Sequence, residues 1–429
     1  VEWSEAKNIR WKVEIPGRGH ASPVLWGDRV YVATAVPATS APVPPTAQPD
    51  SEEGRRPRGV APDQPQRFVL LALDRETGKV VWERVARENK PHEGTHQDGT
   101  WASASPVTDG EVVIAHFGSN GLYAYDLDGK LLWSKDLGDM ETRNGFGEGS
   151  SPALHGEALV VVWDHEGDSF VVALDKRSGQ ERWRQPRDEV TSWATPLIVE
   201  RGGKTQVVVS ATNRVRSYDL ATGKVLWEAA GMTTNTIPSP VEKDGVVYAM
   251  SGFRGNNLLA IRLDGAQGDI TGTESVLWTY DRDTPYVPSP LLYGDQLYFL
   301  KHNRGILSAL DAKTGVVRFG PERLEGIEGV YASPVGAGGR IYVVGRNGVS
   351  VVLKHGPKLE VLATNTLEDE FDASPAVAGD ELFLRGQKYL YRIAQTAVEA
   401  APPTPAEAPG KEGAVKESAA KGEAKQPGS

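Results

Sequence analysis

The chain runs to 429 residues with 47 basic and 57 acidic groups, a net charge of −10, and 11 tryptophans but no cysteine. The missing cysteine excludes disulfides, thiolate nucleophiles and Cys-ligated metals, and an acidic chain without a Lys/Arg run offers no footprint for nucleic acid or an anionic membrane surface. Apolar runs such as 159–163 fall far short of the ~20 residues needed to cross a bilayer, so a soluble chain with no transmembrane segment is expected.

Taken from the N-terminus, residues 8–13 read as a lone Trp-bearing strand with no partner strands before it. Ser22-Pro23 then opens a series of small-hydroxyl–Pro pairs, continued at Ser105-Pro106, Ser151-Pro152, Thr195-Pro196, Ser239-Pro240, Ser289-Pro290, Ser333-Pro334 and Ser374-Pro375. From the second copy onward the spacings are 46, 44, 44, 50, 44 and 41 residues. The first spacing, 83, falls into the same range once the Pro/Ala/charge-rich stretch 36–66 and a long loop over 87–101 are set aside. Each copy repeats one order: a strand beginning at the Pro, a Gly/Asp turn, a second strand, a loop, a third strand, another turn, and a Trp-bearing fourth strand.

The turn after the third strand is the most regular part. It runs from Asp74 to Gly78 before Trp82, from Asp126 to Gly129 before Trp133, and from Asp175 to Gly179 before Trp183. Further copies run from Asp219 to Gly223 before Trp227 and from Asp311 to Gly315, where Phe319 replaces Trp. Asp caps such a turn through nearby backbone N–H groups, and Gly supplies the positive φ that closes it. Four strands per ~40–45 residues, repeated, is the pattern of a β-propeller.

The last copy ends after strands near 381–385 and 389–393 without a Trp strand, and residues 8–13 supply the missing piece. The expected fold is therefore all-β: an eight-bladed β-propeller of four-stranded antiparallel blades over 1–395, its ring closed by the N-terminal strand so that no sheet edge stays open. The stretch 36–66 is expected to be a flexible insertion in blade one. Residues 396–429, built from Ala, Pro, Glu, Lys and Gly without apolar periodicity, are expected to be a disordered tail.

The pattern Ala-x-Asp-x-x-Thr-Gly-x-x-x-Trp at 72–82 resembles the PQQ-like repeat of quinoprotein dehydrogenases and BamB-type outer-membrane assembly factors, over roughly residues 8–395. In wording, 144–152 and 163–168 resemble exported PQQ-like propellers of the planctomycete type. The resemblance implies a periplasmic or extracellular protein, its export signal removed ahead of Val1. It further implies a monomeric binding or scaffold module for a small polar, anionic or glycan ligand, or for a protein partner. The alternative it carries is a PQQ- and Ca²⁺-dependent oxidoreductase acting on alcohols or sugars. Those enzymes hold adjacent cysteines over the cofactor, which this chain lacks, so no cofactor is expected and the binding reading leads.

In a propeller, the loops joining strand four to the next strand one share a face with those joining strands two and three. That upper face holds nearly all of the irregular segments; 264–275, in a lower turn of blade five, is the exception. Residues shortly before each Pro are expected to ring the axial mouth: His20, Trp101, Glu148, Trp193, Asn235, Tyr286, Tyr331 and Asp372. Aromatic planes with a few carboxylates suit a flat or sugar-like ligand. Arg214, Arg254, Arg304, Arg346 and Arg385 recur in the second upper loop set and point to an anion. His92-Glu93-Gly94-Thr95-His96 matches the zinc-protease motif in letters, but Pro91 and Gly94 deny it a helix. With Asp98 it stands as a loop metal candidate, and Asp164, His165 and Asp168 as candidates for a hard cation.

Overall fold

The computed structural model describes residues 1–39 and 64–395, so the expected tail and most of the expected insertion lie outside the described residues. Those described form eight sheets. Blade one runs Val24–Trp26, Arg29–Pro37, Gln66–Asp74 and Val80–Asn89, antiparallel and in chain order from the axis outward. Its two central strands pair as far as Pro37 with Gln66, so the insertion is shorter than expected at both ends. Blade eight is closed as expected: Ala376–Ala378, Glu381–Arg385 and Tyr389–Ile393 receive the N-terminal strand Ile9–Glu14.

The repeat has a physical reason at both ends of each blade. Around the axis, the Ser22 N–H donates to Oγ of Ser105 at 2.9 Å, and Ser105 in turn donates to Ser151 at 2.9 Å. The same bond links Ser151 to Thr195 (3.3 Å), Thr195 to Ser239 (2.9 Å), Ser239 to Ser289 (3.0 Å), Ser289 to Ser333 (2.9 Å) and Ser333 to Ser374 (2.9 Å). A hydroxyl is thus needed at that position because it accepts from the blade before.

At the rim, five outer-strand indoles dock on the Asp-to-Gly turn of the next blade. The Trp133 Nε1 donates to the Lys176 carbonyl at 2.8 Å, and Trp11, Trp82, Trp183 and Trp278 make the same bond to Arg75, Leu127, Leu220 and Lys313. Gly179 sits under that indole with φ +70°, and a Cβ there would stand 2.7 Å from the Trp133 ring. A one-residue bulge turns each aromatic inward: Leu73 faces Val80 while Ala72 faces Trp82, and the same shift recurs in every blade.

Two departures from the repeat compensate for missing parts. Blade five lacks the Asp-to-Gly turn, and Trp227 instead donates to Gln206 at 3.1 Å. The 264–275 segment covers it, with Gly268–Asp269 pairing in parallel on Trp227 and Glu228 and Ile270 packing in the same cluster. In blade seven Ala363 stands where the others carry an aromatic. Trp3, ahead of the closing strand, packs in the cluster that includes Ala363 and Tyr342 and is tied by its N–H to Asn365 at 2.8 Å.

Candidate functional site

Where the hydroxyl ring opens onto the upper face there is a cavity of about 380 Å³. The residue three before each Pro lines it in every blade: His20, Ser103, Gly149, Trp193, Ile237, Val287, Tyr331 and Asp372. Glu148 and Tyr286 join them from one position earlier. The register is a consequence of the repeat, since a fixed distance from the hydroxyl–Pro pair is a fixed height on the axis. Six of the expected ring residues are thus brought together. Trp101 and Asn235, five before their Pro, are not; Ser103 and Ile237 take their places. Trp101 donates its indole N–H to the Glu93 carbonyl, while Asn235 is buried in a turn at φ 59°. Counting back from each Pro would have found both.

A strap crosses the mouth. The connection from blade one to blade two carries Asp98 over to blade seven, where Arg346 donates to it at 2.9 Å and the Tyr331 hydroxyl at 3.0 Å. Burial opposes charge on Asp98, but these two partners outweigh it and hold the carboxyl below the usual range. The same guanidinium donates to Asp372 at 2.6 Å and lies 4.2 Å from the Tyr331 ring centre. The Gln387 amide donates to Asp372 at 2.9 Å and to His20 Nε2 at 3.1 Å. His20 Nε2 is therefore an acceptor, and its 3.3 Å approach to Asp372 is no ion pair. Consistently, burial and then the nearby Arg18 push the His20 pKa down to about 3. The strap is held at its near end by Glu93, which accepts from the N–H and hydroxyl of Thr142 at 3.0 and 2.9 Å.

Glu148 lies between the cavity and a narrower crevice behind it. Its carboxylate accepts from the Ser119 N–H at 2.6 Å and from the Ser119 hydroxyl. Burial outweighs these bonds and pushes its pKa up to about 7. A Cβ at Gly118 would overlap that carboxylate at 1.2 Å, so the turn fits glycine alone. His116 lines the crevice with Nδ1 3.3 Å from the Ser150 carbonyl, its pKa pushed down to about 4 by burial.

The expected arginine set does not converge on the cavity. No Lys or Arg lines it among the described residues. Arg254 and Arg304 are exposed, with Arg254 over Phe253, which stacks on Tyr286. Arg214 pairs with Glu228 and Asp269. Arg385 is buried and donates to the Ala33 carbonyl at 2.6 Å. Turn position brings arginines to one face, and nearby acceptors then claim Arg214, Arg346 and Arg385.

The metal candidates also part company. Among the described residues no three His, Asp or Glu are grouped to hold an ion. Asp164 turns inward and accepts from Arg187 at 2.7 and 3.0 Å and from Ser192 at 2.6 Å, while His165 Nδ1 accepts from the Glu141 N–H and Asp168 is exposed. His92 faces the Met140 carbonyl at 2.8 Å, away from His96, which lines the cavity. Pyrroloquinoline quinone is a flat polycarboxylate that binds with Ca²⁺. Such a polycarboxylate would meet no Lys or Arg in the lining of this cavity.

A profile of the family described as outer membrane protein assembly factor BamB matches residues 1–167 and 167–397. No curated protein matches the chain. Among solved structures it is similar to BamB from Moraxella catarrhalis, with a TM-score of 0.58 and 14% identity over 89% of this chain and 98% of that one. It is also similar to the computationally designed Ika8 protein, with a TM-score of 0.52 and 12% identity over 77% and 92% of the two chains. At such identities the likeness is one of fold.

Proposed function

The chain belongs to the family of the outer membrane protein assembly factor BamB, and from that premise we propose that it is a binding or scaffold propeller of the cell envelope whose recognition surface is the upper axial face. The supporting observation is convergence. Eight blade connections each deliver the same register position to one cavity, and one of them, between blades one and two, also pins a strap across it at Asp98. The lower turns, apart from 264–275, are short by contrast, and five of them receive an indole. No helix among the described residues is long and apolar enough to cross a membrane, which agrees with a propeller working in solution or beside a membrane-bound partner. The family's printed role supports a protein partner, and the cavity supports a small ligand at its centre.

A thermal-shift screen with neutral sugars, sugar acids, cell-wall glycan fragments and pyrroloquinoline quinone with Ca²⁺ tests this. A ligand at ~100 times its Kd adds about 2.7 kcal/mol of stability. Stabilisation that disappears in Trp193→Ala but persists in Lys79→Ala and Lys224→Ala, both on lower turns, is the expected result. A shift untouched by Trp193→Ala and lost in the lower pair would move recognition to the other face.

A further inference from the structure

The cavity is divided in a way that names its ligand class, provided the upper face is the recognition surface. Trp193, Ile237 and Val287, from three successive blade connections, give one arc an apolar wall. Tyr331, Asp372 and His20, from the next three, give the facing arc polar groups. At the inner end stand hydroxyls of the axial ring. Ser105, Ser151, Thr195 and Ser374 line the cavity, and each accepts one backbone N–H from the preceding blade. A hydroxyl has one hydrogen and two acceptor positions. The N–H takes an acceptor position, so the hydrogen remains to be given to the cavity.

Donors therefore sit at one end of the space and carboxylate acceptors, Asp98 and Asp372, at the other. An anion entering it meets those two carboxylates and the Glu148 carboxyl, with no Lys or Arg in the lining. A cation meets carboxylates already shared by Arg346 and a floor of O–H hydrogens. A polyol meets both ends correctly, because each of its hydroxyls donates and accepts. A pyranose adds a C–H face that lies against an aromatic plane while its hydroxyl edge faces the polar arc. The volume of about 380 Å³ falls within the ~300–1,000 Å³ usual for small-ligand sites. We infer that the axial cavity binds a neutral sugar, its C–H face on the Trp193 arc and its hydroxyls on the serine and threonine ring and the Asp98–Asp372 rim.

Calorimetric titration of the full chain with three probe sets tests it: neutral hexoses and their disaccharides, glucuronate and galacturonate, and glucosamine. A neutral sugar is expected to bind at least tenfold tighter than either charged set. Thr195→Val should weaken it by about three- to tenfold, the range of one net hydrogen bond, and Trp193→Ala by about tenfold, with Trp193→Phe retaining most of the affinity. Melting curves of each variant establish that it is folded. Tightest binding by a uronate or by glucosamine overturns the inference, as does neutral-sugar binding that ignores both Thr195→Val and Trp193→Ala. If no sugar binds while another compound from the thermal-shift screen is lost in Trp193→Ala, the sugar assignment falls and the upper-face reading stands. If nothing in either experiment responds to the mouth substitutions, both fall.

Discussion

A carboxyl enclosed by a turn that has no room for a Cβ at Gly118 carries a cost whenever it is charged, and Glu148 is that group. Its folded pKa, about 7, lies above the ordinary 4.5. Between those values the folded chain holds a proton that the unfolded chain has released, so stability falls as pH rises through this window. Below pH 4.5 both states are protonated and the full contribution is present. His20 and His116, pushed down to about 3 and about 4, act with the opposite slope below 6.5, so the melt of the parent alone mixes the three. The difference between parent and Glu148→Gln isolates one of them. Gln keeps the size and an acceptor for the Ser119 N–H, and it should gain on the parent by up to on the order of 3 kcal/mol between pH 4.5 and pH 8. Urea unfolding at a series of pH values measures it, and parallel profiles would refute the buried-acid assignment. The sequence placed Glu148 at the mouth, where it is, as a ligand for something outside. That its oxygens are taken by Ser119 was not legible, because the turn lies 29 residues away in the chain and no local pattern announces it.

Among strands and turns, the repeat was legible because one geometric demand recurs. From Ser105 onward the hydroxyl before each Pro accepts from the preceding blade, and the turn glycine sits under an indole. The Gly179 position separates two reasons for glycine. Its φ of +70° disfavours any side chain, and Trp133 would meet a Cβ at 2.7 Å. Gly156, also at positive φ (+55°), has nothing within 4 Å of a Cβ. Gly156→Ala should therefore cost about 1 kcal/mol, the backbone term alone. Gly179→Ala should cost about 2–4 kcal/mol, because the indole must shift as well. Equal urea midpoints for the two variants would show that the docked indole yields without cost. What the repeat did not reveal is where a departure from it does structural work. The 264–275 segment has the composition of a loop, and its cover over Trp227 depends on a parallel pairing between blades that no strand-spacing rule specifies. Arg346 and Arg214 of the upper loops illustrate a related reason: their shared position is local, but their acceptors, Asp98 and Asp269, come from distant chain.

At the scale of the whole ring, closure was legible as a deficit: a final copy one strand short and a Trp strand without companions at the other end. The ladder from Ile9 to Glu14 along Tyr389–Ile393 meets that expectation. Trp3 was not foreseen, since it lies outside every repeat and its site exists because blade seven has Ala363 in place of an aromatic. The N-terminus thus does two separable things. Removing residues 1–7 takes away Trp3, its bond to Asn365 and the contact with Tyr342 while leaving the closing strand. That should cost about 3–5 kcal/mol, the range for deleting a buried Trp, with the ring still unfolding in one transition. Removing residues 1–15 also takes away the outer strand of blade eight and the Trp11 bond to Arg75 on blade one. Stability in a ring is shared through neighbouring interfaces, so opening one of them lowers the melting of the whole and not of an end. Tryptophan fluorescence and far-ultraviolet dichroism, followed together on heating, distinguish the outcomes. The longer truncation should melt well below the shorter one by both probes at once. A longer truncation that melts with the parent would mean that the ring is held without its N-terminal strand.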